Sequence, residues 1–389
     1  MKLIQAFPIV AETPAINTRR RKEAEMMLKL MRAPAKYVQG QDALSQVYEE
    51  TKDLGKSFLF ICSRSGHRNC YEKIGKSFSG KDAKILFEIF GGVSSIGEIE
   101  KMQGIVKDQK IDCVVGVGGG SAIDTAKATA YYEGLPVVII PTVAATDAPC
   151  TGLSVIYNND GTFAKYIFYP KNPDAVLVDT DVIAHAPVKF LIAGMGDALG
   201  TFFEARACEK AKAPSLENGG ITKSAMALCK LCYETLLEDG YKALRACENG
   251  VVTPAVESII EATTYLSGVG ADNGGLAVSH SVYNGFTALE ECEKTMHGSI
   301  VAFGTIAQLI LENAPMDELD EVIDFCVSVG LPVTLNEIGV TDMNRVHIAA
   351  EKACADGESI HNMIGDVTPA QLYDALIAAD VLGKEYLGE

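Results

Sequence analysis

Two histidines and one aspartate in this 389-residue chain stand where they could hold a metal ion. His280 lies in GGLAVSHSVYNGF and His297 in EKTMHGSIVAFG, seventeen residues apart, both in apolar segments of helical character. Asp197 lies in AGMGDALGTFFEA, at the start of an apolar helix and flanked by Gly and Ala. A carboxylate buried in such a segment needs a partner, and a metal is the strongest available. Two imidazoles and one carboxylate, leaving a coordination position open, suit catalytic zinc or ferrous iron. The three residues are far apart in sequence, so ordinary buried side chains remain the competing reading. His67, His185 and His347 read as ordinary histidines, and His361, in GESIHNMIG, suits at most a secondary role.

A second constellation points to a nucleotide. The apolar run CVVGV (113–117) leads into GVGGGSAIDTAKA (116–128), with Gly116, Gly118, Gly119 and Gly120 between a buried strand and a helix carrying Asp124 and Lys127. Glycine lets the backbone approach a phosphate, and a helix start offers free N–H groups and a positive dipole end. The dinucleotide spacing G-x-G-x-x-G is loosely met, since Ser121 holds the last position, and no G-K-[ST] follows to make a P-loop. A tight strand-to-helix turn is the alternative. Further on, PVVIIPTVAATDAPCTGLSVIY (136–157) ends a strand at Pro141 and crowds Thr142, Thr146, Thr151 and Ser154 together. Loops at the carboxyl ends of strands bind ligands in open α/β sheets. Asp147 is the one charge in that loop, and it either caps a turn or meets a ligand.

The elements that must position these residues follow from hydrophobic periodicity. FLFIC (58–62), KILFEIF (84–90), CVVGV (113–117), PVVII (136–140) and AVLVD (175–179) read as strands. Stretches near 69–78, 94–109 and 121–132 read as helices. Continuous apolar strands alternating with helices imply a parallel sheet covered on both faces. Beyond Val182 the alternation stops, and long amphipathic segments such as 224–238 and 255–270 imply an all-helical half. The expected organisation is an N-terminal extension (1–30), a Rossmann-like α/β domain (31–180) and a helical, metal-binding domain (181–389).

Composition excludes several classes. A net charge of −17 repels nucleic acid and anionic membranes. No apolar run reaches the ~18 residues that span a bilayer. Met1 to Glu12 lacks the basic start and long apolar core of a signal peptide. Eleven cysteines without regular spacing, several in apolar segments, fit a reducing cytoplasm. Cys229 and Cys232 form a C-x-x-C inside a helical pattern with no second pair nearby, so they read as buried helix residues.

Taken together, the segments resemble the glycerol dehydrogenases of the iron-containing, or type III, alcohol dehydrogenase superfamily. The likeness covers about 33–389 and rests on APAKYVQG (33–40), GVGGGSAIDTAKA, PTVAATDAPCTGLSVIY, YPKNPDAVLVDT (169–180), GMGDAL, GGLAVSHSVYNGFTALE, HGSIVAFG and GESIHN, in that order. The resemblance implies a dehydroquinate synthase-like architecture, with NAD or NADP on the first domain and Zn2+ or Fe2+ on the second. It implies metal ligands at Asp197, His280 and His297, and a substrate contact at Asp147. It places the cofactor on Gly118, Gly119, Gly120, Ser121, Asp124, Thr142, Thr151, Leu153 and Tyr157. The implied reaction is hydride transfer between a small polyol, glycerol or a vicinal diol, and the nicotinamide, with the metal as Lewis acid. It also implies a homo-oligomer, a dimer or an octamer.

Three departures matter. The family's glycerol enzymes often read GGGKTLD where this chain has Gly-Gly-Gly-Ser-Ala-Ile-Asp, which loosens the substrate assignment. The segment before Met31 has no recognisable counterpart. At the end of FLFIC the family has Asp, the residue that accepts the adenosine ribose hydroxyls; here Ser63 stands there, followed by Arg64 and, four further on, Arg68. A carboxylate lost and a guanidinium gained favour a 2′-phosphate, hence NADP, while a solvated loop with two arginines is the plainer reading. A 2-oxo acid or hydroxycarboxylate dehydrogenase on the same fold is the alternative function. A dehydroquinate synthase-like lyase would need cationic clamps, yet no Lys or Arg occurs between Lys127 and Lys165 or between Arg245 and Lys294. A nucleotide-binding protein without activity would have little use for three metal ligands.

Overall fold

The computed structural model describes residues 27–389. The basic cluster Arg19 to Lys22, the segment Met1 to Glu12 and most of the expected extension lie outside the described residues.

Six strands form one parallel sheet. They are β1 (Tyr37–Gly40), β2 (Ser57–Cys62), β3 (Lys84–Ile89), β4 (Cys113–Gly118), β5 (Val137–Pro141) and β8 (Ala175–Asp179), in the spatial order β1-β8-β5-β4-β2-β3. The helices between them are α1 (Val47–Thr51), α2 (Arg64–Phe78), α3 (Ile96–Gln109) and α4 (Gly120–Glu133). Alternate side chains of the strands go to opposite faces, as a two-residue period requires. Phe58, Phe60 and Cys62 pack with Cys70, Ile74 and Phe78 of α2 on one face. Leu59, Ile61, Val114 and Ile139 join a larger cluster that continues into the helical half, through Leu199, Phe203 and Leu236. From β2 the chain steps outward to β3 and then crosses back to β4 on the other side of β2. That reversal leaves a crevice at the carboxyl ends of β2 and β4, where open α/β sheets bind ligands.

Three strands were not anticipated. β1 is a four-residue, half-buried edge strand pairing with β8, Tyr37 opposite Val176. β6 (Leu153–Tyr157) and β7 (Phe163–Phe168) form a separate antiparallel hairpin beside α4, where a loop was expected. Its alternation shows in β6: Ser154 and Ile156 are buried, while Leu153, Val155 and Tyr157 are half-buried.

After Asp179 the described chain is helical: α5 (Thr180–Ala184), α6 (Lys189–Ala211), α7 (Lys223–Cys247), α8 (Pro254–Glu261), α9 (Ser267–Gly274), α10 (Val278–Phe286), α11 (His297–Leu311), α12 (Met316–Val329), α13 (Met343–Ala353) and α14 (Pro369–Leu387). The stretch expected as one helix over 255–270 is broken by a π-helical turn at Ala262–Leu266. There the Thr263 and Thr264 hydroxyls bond back to the Ile259 and Ile260 carbonyls at 2.8 and 2.6 Å, a competition that distorts helices. Cys229 and Cys232 are buried in α7, and all eleven cysteines are free thiols. Among the described residues, no helix is long and apolar enough to cross a membrane.

Candidate metal centre and cofactor crevice

Asp197 on α6, His280 on α10 and His297 at the first position of α11 come together although 83 residues separate the first two. Glycines allow this. A Cβ added at Gly298 would collide with the Ala193 carbonyl oxygen, and one at Gly196 with the Gly298 carbonyl. The backbones of α6 and α11 therefore touch beside both Asp197 and His297, closer than any side chain would permit. A further collision would arise between a Cβ on Gly194 and the Ala144 carbonyl, so α6 also abuts the loop that follows β5.

One donor atom from each of the three residues lies within 4.8 Å of the others. His297 Nε2 is 2.9 Å from Asp197 Oδ1, and His280 Nε2 is 3.5 Å from it. Neither contact has hydrogen-bond geometry, and among the described residues Oδ1 is a buried acceptor without a hydrogen-bond donor. A buried oxygen left so, with two imidazole nitrogens converging on it, is the donor set a divalent cation fits. Asp197 Oδ2 accepts the Asp147 N–H at 3.2 Å, which ties the loop after β5 to the site.

The charges respond to this crowding. Burial works to raise the Asp197 pKa, but His297 and His280 outweigh it and hold the carboxyl below the usual range. Burial would lower His280, yet Glu204 and Asp197 hold its pKa well above the usual value. Asp147 is pushed up to about 8, by burial first and then by the neighbouring Asp197 charge. The Tyr283 ring stands edge-on to His297 at 4.1 Å between centroids and fixes that imidazole from the side.

The glycine turn lies at the crevice. Gly118 ends β4 with φ +156°, and a Cβ there would come within 2.8 Å of the Ala122 Cβ and 2.9 Å of the Ser63 Oγ. Gly119 caps α4 with no side chain, leaving the first N–H groups of the helix, Gly120 and Ser121, open to an anion. Thr142 donates its N–H to the Gly118 carbonyl at 3.0 Å, and Ser63 donates its own to Val117 at 2.9 Å. The ends of β2, β4 and β5 are thus tied side by side.

The family model for iron-containing alcohol dehydrogenase matches residues 34–180. The glycerol dehydrogenase of Citrobacter freundii is 49% identical over 363 residues, covering 93% of this chain and 100% of that protein. That of Thermotoga maritima is 47% identical over 356 residues, 90% of this chain and 96% of its own. The crystal structure of glycerol dehydrogenase from Schizosaccharomyces pombe superposes with a TM-score of 0.89 at 36% identity, covering 94% of each chain. The chain belongs to the iron-containing alcohol dehydrogenase family. It is a nicotinamide-dependent oxidoreductase of alcohols.

Other expected cofactor contacts of this dehydrogenase lie toward the hairpin, which packs against α4. Asp124 is buried and accepts the Val155 N–H at 3.2 Å, Thr151 lies two residues before β6, and Leu153 and Tyr157 are its first and last residues. What organises them is Lys127, noted from the sequence on the helix beside Asp124 and as the limit of a stretch without Lys or Arg, with no role assigned. Its buried ammonium donates to the carbonyls of Ala148 (2.8 Å), Thr151 (3.1 Å) and Leu153 (2.6 Å). It also reaches the Thr151 hydroxyl at 3.3 Å. Burial lowers the Lys127 pKa, and the nearby Asp124 opposes that effect. The lysine thus holds the loop that carries Asp147.

Glu204 was also missed. It is fully buried, accepts His280 Nδ1–H at 2.6 Å and accepts the N–H groups of Ala277 (2.8 Å) and His280 (2.9 Å). The histidine is thereby held with Nε2 turned to Asp197, its lone pair free for a metal. The signal was present, since Glu204 follows Asp197 by seven residues, two turns along one helix face.

Proposed function

We propose that this dehydrogenase oxidises a small vicinal polyol, glycerol or a related diol, to the hydroxyketone. The reading rests on one observation: three metal-type donors converge beside Asp147 at the carboxyl end of a dinucleotide-type sheet. Asp197, His280 and His297 would hold a divalent cation, zinc or ferrous ion, which when bound supplies a Lewis acid for a substrate hydroxyl, while the nicotinamide accepts the hydride. The division of labour follows the chain, with residues 31–180 binding the dinucleotide and 181–389 the metal. Gly118 to Ser121 would receive the pyrophosphate, and Thr142 would face the cofactor from the next strand. Asp124, Thr151, Leu153 and Tyr157 would shape the same side of the crevice through the hairpin. Free, mostly buried thiols agree with a cytoplasmic enzyme.

Asp147 is assigned to the second hydroxyl. Its backbone is anchored to Asp197 and its loop to Lys127, so its carboxyl group is positioned before substrate arrives. A hydroxycarboxylate or phosphorylated substrate would need a cation in the same place. Lys127, the buried cation nearest the loop, already spends its donors on three carbonyls.

The test is turnover of glycerol, 1,2-propanediol, ethanol and 2-oxo acids by the unmodified enzyme and by Asp147→Ala. Vicinal diols should lead, and the substitution should weaken diol kcat/KM by ~5–100-fold while barely moving ethanol, the scale of one buried hydrogen bond. Equal rates on ethanol and glycerol, or a preference for 2-oxo acids, would overturn the reading.

A further inference from the structure

The order of the strand ends fixes which way a dinucleotide must lie. The metal-type cluster touches the loop after β5 through Asp147 and Asp197. The phosphate-type turn follows β4, the neighbour of β5 in the sheet. A nicotinamide beside the cluster and a pyrophosphate on the turn leave the adenosine half for the other side of β4, at β2. Ser63 directly follows that strand, and its Oγ lies within 2.9 Å of where a Gly118 Cβ would be. This is the place where an acidic side chain accepts the 2′- and 3′-hydroxyls in NAD-binding sheets, and where its negative charge repels a 2′-phosphate.

The residue here is Ser63. Its Oγ accepts the Gly66 N–H at 3.0 Å and so caps α2 instead of reaching out. Arg64 is the first residue of α2 and is exposed, and Arg68 is exposed one turn further along. Arg64 has no ion pair among the described residues, and Arg68 bonds only to the Asn69 side chain at 3.4 Å. The strand next outward, β3, is followed by Phe90, Gly91, Gly92 and Val93, none of them charged. On β3 itself Glu88 pairs in register with Ile61 and is half-buried, and Glu98, beside Gly91, is paired with Lys101 at 3.0 Å.

We infer that this enzyme selects the 2′-phosphorylated cofactor, NADP(H), with Arg64 as the 2′-phosphate ligand and Ser63 in place of the repelling acid. The inference rests on the dinucleotide reading given above. Arg64 supplies a planar, bidentate donor of fixed charge, and the α2 N-terminus adds positive potential on the same side. Arg68 contributes a second positive charge one turn away.

Direct binding tests this without turnover. Dissociation constants of NADPH and NADH are measured by cofactor fluorescence on the unmodified enzyme, Arg64→Ala and Ser63→Asp. The unmodified enzyme should bind NADPH ~10–100-fold more tightly than NADH, the range of a charge-assisted hydrogen bond. Arg64→Ala should bring the ratio to within about threefold of unity by that same loss. Ser63→Asp should invert it while leaving thermal stability unchanged, because Asp caps a helix as well as Ser does. NADH bound as tightly as NADPH, or a ratio indifferent to Arg64→Ala, overturns the inference alone. Failure of both cofactors to bind overturns the dinucleotide reading and the inference with it.

Discussion

Replacing Glu204 by Gln tests how the metal site is assembled. The carboxylate serves three donors at once: two backbone N–H groups at 2.8 and 2.9 Å and His280 Nδ1–H at 2.6 Å. Gln has nearly the same shape, so packing around this fully buried position should survive. Its amide oxygen can still accept the two backbone groups, but its NH2 then faces Nδ1. Nδ1 must turn acceptor, and the imidazole proton moves to Nε2, the nitrogen that faces Asp197. The variant therefore loses a charge-assisted hydrogen bond, about 1.5–3 kcal/mol, and stabilises the tautomer that cannot ligate. Zinc affinity should fall at least ~10–100-fold, the usual effect of removing such an outer partner. Chelator competition measures it, and a thermal melt confirms folding. Affinity within twofold of the unmodified enzyme, in a folded variant, would refute the argument that Glu204 orients His280.

Two further outcomes follow from the packing and from burial. Gly298→Ala should destabilise the fold by ~1–3 kcal/mol or more through overpacking against Ala193, and should weaken zinc binding because His297 moves with the helix; denaturant midpoints and zinc titration of the same sample would show both, and an unchanged midpoint would count against the close helix contact. Asp272 is pushed up to about 6 by burial, against the opposing hydrogen bonds of Gly152 and Asn172. Its folded pKa stands above the unfolded value, so the proton is held more tightly in the folded chain. Ionisation then costs stability, with no cost below about pH 4, a rising cost to about pH 6 and a constant one above. The neutral isostere Asp272→Asn should gain on the unmodified enzyme by about 3 kcal/mol between pH 4 and pH 7; a stability difference that stays flat across that range would contradict it.

Much of the architecture was legible because buried parallel strands announce themselves. FLFIC, CVVGV and PVVII are continuous apolar runs, and each became a strand covered on both faces. β1 was not legible, since YVQG is four half-buried residues with neither a continuous apolar run nor alternation. The β6–β7 hairpin was hidden by its hydroxylated approach, Thr151 and Ser154, which reads as a loop even though the period-two pattern is there. In the site, the residue types of Asp197, His280 and His297 were visible, but what brings them together is the contact at Gly196 and Gly298, a tertiary fact. Glu204 and Lys127 escaped for a related reason. A charge among apolar helix residues says that a partner must exist, and only the packing says that the partners are His280 and a set of loop carbonyls.

The most direct test of the account is a metal titration of the chelated enzyme during glycerol turnover. Bound zinc or ferrous ion and activity would be read on the same samples, with His297→Ala in parallel. The account predicts activity rising in proportion to bound metal up to about one ion per chain, the capacity of a single three-ligand site, and no recovery in His297→Ala. Full activity at less than ~0.1 metal per chain would contradict it, because a catalytic site that needs its ion cannot turn over without one.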